Sequence, residues 1–130
     1  GAPCAVEIRN AELLVPAYAA ALSGAGASHG FTVHPSMPSL VAQAELLPPE
    51  AQPSLVVRWM LGHGRGYEEA RELYAPFDRL AAPDPGARAS IVELVRRAVR
   101  GGREGMVIVN NKAEGCSPLS VIELARAIAG

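Results

Sequence analysis

Glu7 and Arg9 stand two apart in VEIR near the start of the chain, and ionisable residues recur in later apolar runs, His34 in FTVHP and Arg58 in VVRWML. Side chains two apart on an extended segment share a face, so Glu7 and Arg9 are presented together. A carboxylate beside a guanidinium stays ionised and can serve as a fixed acid–base group. His34, directly before Pro35, suits a satisfied hydrogen-bonded role first, and proton shuttling or metal ligation after it. A fourth apolar run ends in VIVNNKAEGCSPLS (Val107 to Ser120), where polar groups crowd together. Asn110, Asn111, Lys112, Gly115 and Ser117 there offer amides, a cation, an approachable backbone and a helix start. Such groups bind anions, and they also serve turns and caps. The expected catalytic residues are therefore Glu7, Arg9, His34 and Arg58. The expected ligand- or anion-binding residues are Asn110, Asn111, Lys112, Gly115 and Ser117, with Ser117 as the cap of the last helix.

Other chemistries find little support. No HxH, HExxH or paired CxxC spacing occurs, so no metal site is expected, and the sequence names no cofactor. The absence of GxSxG removes the usual nucleophile elbow. A net charge of -1 lacks the basic excess of a nucleic-acid groove. No apolar run approaches the roughly 18 residues of a membrane span. Cys4 and Cys116 fit packing roles in a reducing, cytoplasmic setting better than a disulfide scaffold. At 130 residues, 49% hydrophobic and 19% charged, the chain suits one domain with a sizeable core.

The elements that would position these residues alternate regularly. Strands are expected over Cys4 to Arg9, Gly30 to Pro35, Ser54 to Leu61 and Gly105 to Asn111. Helices are expected from Pro16 to a stop at Gly24 and Gly26, in SLVAQAELL, in YEEARELY, from the Asp84-Pro85 cap to Gly101-Gly102, and from Ser117-Pro118 onward. The long helix from Pro85 shows Ile91, Leu94, Val95, Ala98 and Val99 at helical spacing, with arginines on its solvated face. His29 and His63 read as loop residues, Trp59 and Met60 as core, and Tyr67, Tyr74 and Phe77 as anchors for the long loop. Repeated strand–helix units imply an α/β fold with a parallel sheet.

Each strand sorts into two faces. Leu55, Val57 and Trp59 oppose Val56, Arg58 and Met60; Phe31 and Val33 oppose Thr32 and His34. A sheet with helices on both faces should be apolar on both, and Glu7, Arg9, His34 and Arg58 break that rule together. A sheet curling into a barrel explains them, its ionisable face lining the interior near the strand ends. An ion-pair cluster without a ligand explains them as well.

The succession CAVEIRN, ELLVPAY, FTVHPSMP, VVRWML, YEEARELYAPFDRL and VIVNNKAEGCSPLSVIELA resembles the C-terminal half of the YecE-like family, a domain of unknown function with a TIM-type barrel. Val6, Glu7 and Arg9 match the family's vExR strand, and Asn110, Asn111 and Gly115 its asparagine-rich strand end. Many members carry Asn-Asn-Asp there; Lys112 resembles a variant branch with NNKAEG, without the acidic group that a metal role would use. The resemblance implies a partial barrel of four βα units, strands five to eight, and a fragment of a chain about twice as long, since a full barrel needs about 200 residues or more. Its open sheet edges would favour self-association. It further implies an anion site between the loops after strands seven and eight, GHGRG (Gly62 to Gly66) and NNKAEGCSPLS, with charge from Arg65 or Lys112. Two functions fit: an enzyme acting on a small anionic or phosphorylated substrate, or a non-catalytic ligand-binding or interaction domain using the same pocket.

Overall fold

Four strands form one sheet in the computed structural model, which describes residues 2–62 and 66–130. They are β1 (Ala5–Val6), β2 (Ser28–Val33), β3 (Leu55–Trp59) and β4 (Gly105–Val109), in the spatial order β1-β2-β3-β4 with every neighbouring pair parallel. Helix α1 (Pro16–Ala25) joins β1 to β2, and α2 (Leu40–Leu46) joins β2 to β3. Between β3 and β4 lie α3 (Tyr67–Tyr74) and α4 (Pro85–Arg100), and after β4 come α5 (Asn111–Glu114) and α6 (Ser117–Ala129). The fold is α/β with helices interleaved through a parallel sheet.

Local chemistry sets most of the helix ends. Pro16 occupies the first turn of α1, and Gly26, at φ 66°, closes it in the left-handed region. Gly24 lies inside the helix, so only the second glycine is a stop. The side chains of Ser39 and Asp84 accept the N–H groups of Ala42 (3.2 Å) and Ala87 (3.0 Å), capping α2 and α4. α4 buries Ile91, Leu94 and Ala98, while Arg97 turns outward to Glu50. Ser117 is not the cap of α6. It lies inside the helix, and its N–H is taken by the Asn111 side chain at 2.8 Å.

Register separates the two faces of the sheet. Phe31, Val57 and Val107 align, as do Val33, Trp59 and Val109. With Leu55 these strand residues join Leu22 of α1, Leu40 and Ala44 of α2, Ile91 and Leu94 of α4, and Leu124 of α6 in one core. The helices therefore cover a single face. On the other, Val56 aligns with Met106 and Arg58 with Ile108. Met106 is 57% exposed and Ile108 42%, so this face is open on the β4 side. A consecutive strand order produces this result, because right-handed crossovers all return on the same side. Among the described residues no helix is long and apolar enough to cross a membrane.

His29 corrects the expectation of a loop histidine: it lies in β2 and is fully buried. Gln43 Nε2 donates to the carbonyls of Thr32 (3.0 Å) and Pro38 (2.8 Å), which aims Gln43 Oε1 at His29 Nε2 across 3.0 Å. That nitrogen then carries the proton, and Nδ1 accepts from the Tyr18 hydroxyl at 2.8 Å. The neutral ring thus has both nitrogens satisfied, tying β2 to α1 and α2.

Gly115 has a structural cause different from ligand approach. At φ 122° it packs so closely that a Cβ would lie 2.6 Å from the Arg79 carbonyl oxygen and 2.8 Å from the Ala81 nitrogen. Beside it the Glu114 carbonyl accepts from Ala82 N–H. The wholly buried Glu114 carboxylate takes the Asp84 N–H and Arg88, both at 2.7 Å. The chain from 79 to 84 is thereby fastened to α5.

Two outcomes are expected. Gly115→Ala should lose about 2–4 kcal/mol in chemical denaturation, combining a clash with an unfavourable φ; a loss near zero would contradict this packing. Burial lowers the proton affinity of His29 below its ordinary 6.5, against the opposing pulls of Gln43 and Glu7. The unfolded chain therefore protonates first, and stability should fall as pH drops from 6.5 toward the lowered value. Denaturation between about pH 7.5 and about 5.5 should show a shallower pH slope for His29→Gln than for the parent. Equal slopes would remove His29 as the source.

Candidate functional site

Each parallel strand releases its chain at the same rim of the sheet, the rim where ligands collect in α/β folds. Arg9 lies three residues beyond β1, while His34, Met60 and Asn110 each follow the last residue of β2, β3 and β4. With Leu61, Tyr67 and Lys112 these side chains line a cavity of about 210 Å³. Four of the nine expected site residues, Arg9, His34, Asn110 and Lys112, are thus brought together from the ends of β1, β2 and β4, with Met60 from the end of β3.

Glu7 and Arg58 stand beside the cavity on the open face. Strands lie about 4.8 Å apart, so a contact from β1 to β3 must cross β2. Gly30 and Thr32, the β2 residues on that face, are small and buried, leaving room for the crossing. A Cβ on Gly30 would meet the Val6 carbonyl at 3.2 Å and the Glu7 Cβ at 3.4 Å. Over them, Glu7 Oε2 receives Arg58 Nη1 at 2.5 Å and Glu7 Oε1 receives Arg9 Nε at 2.6 Å. Burial pushes the Glu7 carboxyl up, but the hydrogen bonds and charges of Arg9 and Arg58 outweigh it and hold the group below its ordinary 4.5. A carboxylate with both oxygens engaged and lowered proton affinity is a poor base. It is suited instead to orienting two guanidiniums.

The adjacent asparagines that end the fourth apolar run divide two capping tasks. Asn110 Oδ1 accepts the Lys112 N–H at 2.9 Å and starts α5; Asn111 Oδ1 accepts the Ser117 N–H and starts α6. Asn110 N–H itself bonds the Trp59 carbonyl at 2.8 Å, holding the turn against β3. Asn111, Gly115 and Ser117, expected to bind the ligand, do not line the cavity; Asn111 Oδ1 and the Ser117 N–H hold each other, and Gly115 packs against Arg79 and Ala81. Lys112 does, its Nζ 4.1 Å above the Tyr67 ring and 5.6 Å from that of Phe77. Cation–π contact of this kind steadies the ammonium without cancelling its charge.

His34 turns Nδ1 back toward Ser36, 2.8 Å from its hydroxyl and 3.0 Å from its N–H. Burial, then the charge of Arg9, lower its proton affinity below 6.5, with Glu7 opposing. Sequence reasoning missed Leu61 and Tyr67 as lining residues and gave Met60 to the core. Tyr67 was legible only as an anchor for the loop, whereas Tyr74 fills that role, buried with Leu61 and Ala70. Of the GHGRG loop, His63, Gly64 and Arg65 lie outside the described residues. No group of three or more His, Cys, Asp or Glu side chains positioned for a metal occurs among the described residues.

Glu7→Gln should destabilise the protein by about 1–2 kcal/mol at neutral pH, since two guanidiniums lose a charged partner. The carboxylate's contribution is complete above 4.5 and disappears as pH falls through the lowered value. Denaturation curves of parent and variant should therefore converge in acid, and a constant gap would show that the loss is not electrostatic.

No protein-family model matches the chain, and searches of curated proteins and of solved structures return no match.

Proposed function

We propose that the protein binds a small anionic molecule, best a phosphorylated one, in the cavity at the carboxyl ends of its strands. One observation carries this: of the seven lining residues two are basic, Arg9 and Lys112, and none is acidic. Their donors are also unspent. Arg9 commits only Nε to Glu7, so its terminal nitrogens have no partner among the described residues. Asn110 spends its carbonyl oxygen as a cap and keeps its amide N–H groups, and Lys112 has no carboxylate among the described residues. A wall rich in donors and cations and poor in acceptors complements the oxygens of a phosphate or carboxylate.

The setting proposed for this site is the C-terminal half of a YecE-like TIM-type barrel. Support comes from the one-sided helices, the unpaired outer edges of β1 and β4, and exposed Met106 and Ile108 on the open face. Exposed Leu119, Val121 and Ile122 on α6 extend the uncovered apolar surface. Four further βα units would cover these groups, and without them the chain would tend to self-associate. The two free cysteines support a reducing, cytoplasmic environment. Should the site be catalytic, its clustered cations would stabilise negative charge developing on a bound substrate.

The test is titration with inorganic phosphate and simple phosphomonoesters, followed by calorimetry and thermal shift. Arg9→Gln and Lys112→Ala should each weaken binding by about tenfold, or about 1.4 kcal/mol. Added salt should weaken binding to the parent more than to either variant. Binding indifferent to both substitutions would place the anion elsewhere. Turnover of a bound ester would favour the enzyme; binding without turnover would favour the non-catalytic module.

A further inference from the structure

His34 begins a tight turn, His34-Pro35-Ser36-Met37, closed by the Met37 N–H on the His34 carbonyl at 3.0 Å. Proline at the second position presets the backbone of such a turn. The turn carries the Ser36 N–H back over the imidazole, 3.0 Å from Nδ1, with the Ser36 hydroxyl 2.8 Å from the same atom. A ring nitrogen that receives a backbone N–H presents its lone pair, so the proton of the neutral ring resides on Nε2. Nε2 has no partner among the described residues, and His34 lines the cavity with Arg9, Asn110 and Lys112.

We propose that His34 is a recognition residue whose tautomer is set by the Ser36 turn, so that Nε2–H donates to an oxygen of the phosphate bound in the cavity. This rests on the anion site proposed above and assigns a role within it. With Nδ1 occupied and Nε2 protonated, the ring offers no lone pair to a metal ion and none to a substrate proton. His34 therefore binds rather than shuttles, and the ligand must present an acceptor at that corner. Burial and Arg9 keep the ring neutral at neutral pH, against the pull of Glu7. Lys112 and Tyr67 are the other titratable groups lining the cavity.

Long-range nitrogen–proton correlation on labelled protein reads the tautomer directly, and the His34 signals are assigned by their loss in His34→Gln. The Nε2–H form is expected, with its proton moving downfield as inorganic phosphate is added. The glutamine amide reaches to about the Nε2 position, so His34→Gln should bind phosphate within about threefold of the parent. His34→Asn reaches only to the Nδ1 position and should weaken binding by about tenfold. A proton on Nδ1, or parent-like phosphate binding by His34→Asn while Arg9→Gln and Lys112→Ala remain weak, overturns this inference alone. An Nε2–H ring in a parent protein that binds no phosphate overturns the anion site, and the donor role falls with it.

Discussion

The hand of the strand crossovers governs this molecule. Right-handed returns between consecutive parallel strands place every connecting helix on the same side of the sheet. A doubly wound sheet escapes this by reversing its strand order; the order β1-β2-β3-β4 does not reverse. One face therefore receives the buried core, Phe31, Val33, Leu55, Val57 and Trp59, and the helices α1, α2, α4 and α6. The opposite face is relieved of that duty and can carry Glu7 and Arg58, which a sheet buried on both sides would tolerate only at considerable cost.

Parallel strands also end on a common rim, which is how residues scattered from Arg9 to Lys112 meet around one cavity. The chemistry of that rim follows from what is already spent and what is not. Glu7 is used up on two guanidiniums, and the Asn111 side-chain oxygen is spent on the Ser117 N–H. Asn110 is half used, Arg9 keeps its outer nitrogens, and Lys112 rests on aromatic rings that leave its charge intact. What is left over is donor-rich and cationic, and that surplus is the ground on which an anionic ligand is proposed.

Much of this was legible in the sequence, because the period of two along a strand depends on nothing outside it. The alternation of Val57 and Trp59 with Arg58 gave the correct faces, and the βα order gave the parallel sheet. What failed depended on distant partners. His29, flanked by glycine and polar residues, read as a loop; its burial depends on Tyr18 and Gln43, neither of which marks itself as a partner. Gly115 read as a place for a ligand to come close, whereas the chain's own segment at Arg79 and Ala81 occupies that space. Ser117 is an ordinary cap by type, but the helix already begins at Ser117, which leaves Cys116 at the cap position. Strand ends were drawn long because apolar runs outlast pairing: β1 pairs only at Ala5 and Val6, leaving Glu7 and Arg9 outside the ladder.

The outer edges of β1 and β4 have a geometric consequence of their own. A sheet whose units follow one another laterally, all with the same hand, extends at either side without altering what is inside it. Any unit attached in that manner adds its helix to the existing helical layer and its strand end to the existing rim. Lateral growth therefore lengthens the row of residues along that rim one at a time, so its chemistry becomes adjustable piecemeal, by the identity of the newcomer at each position.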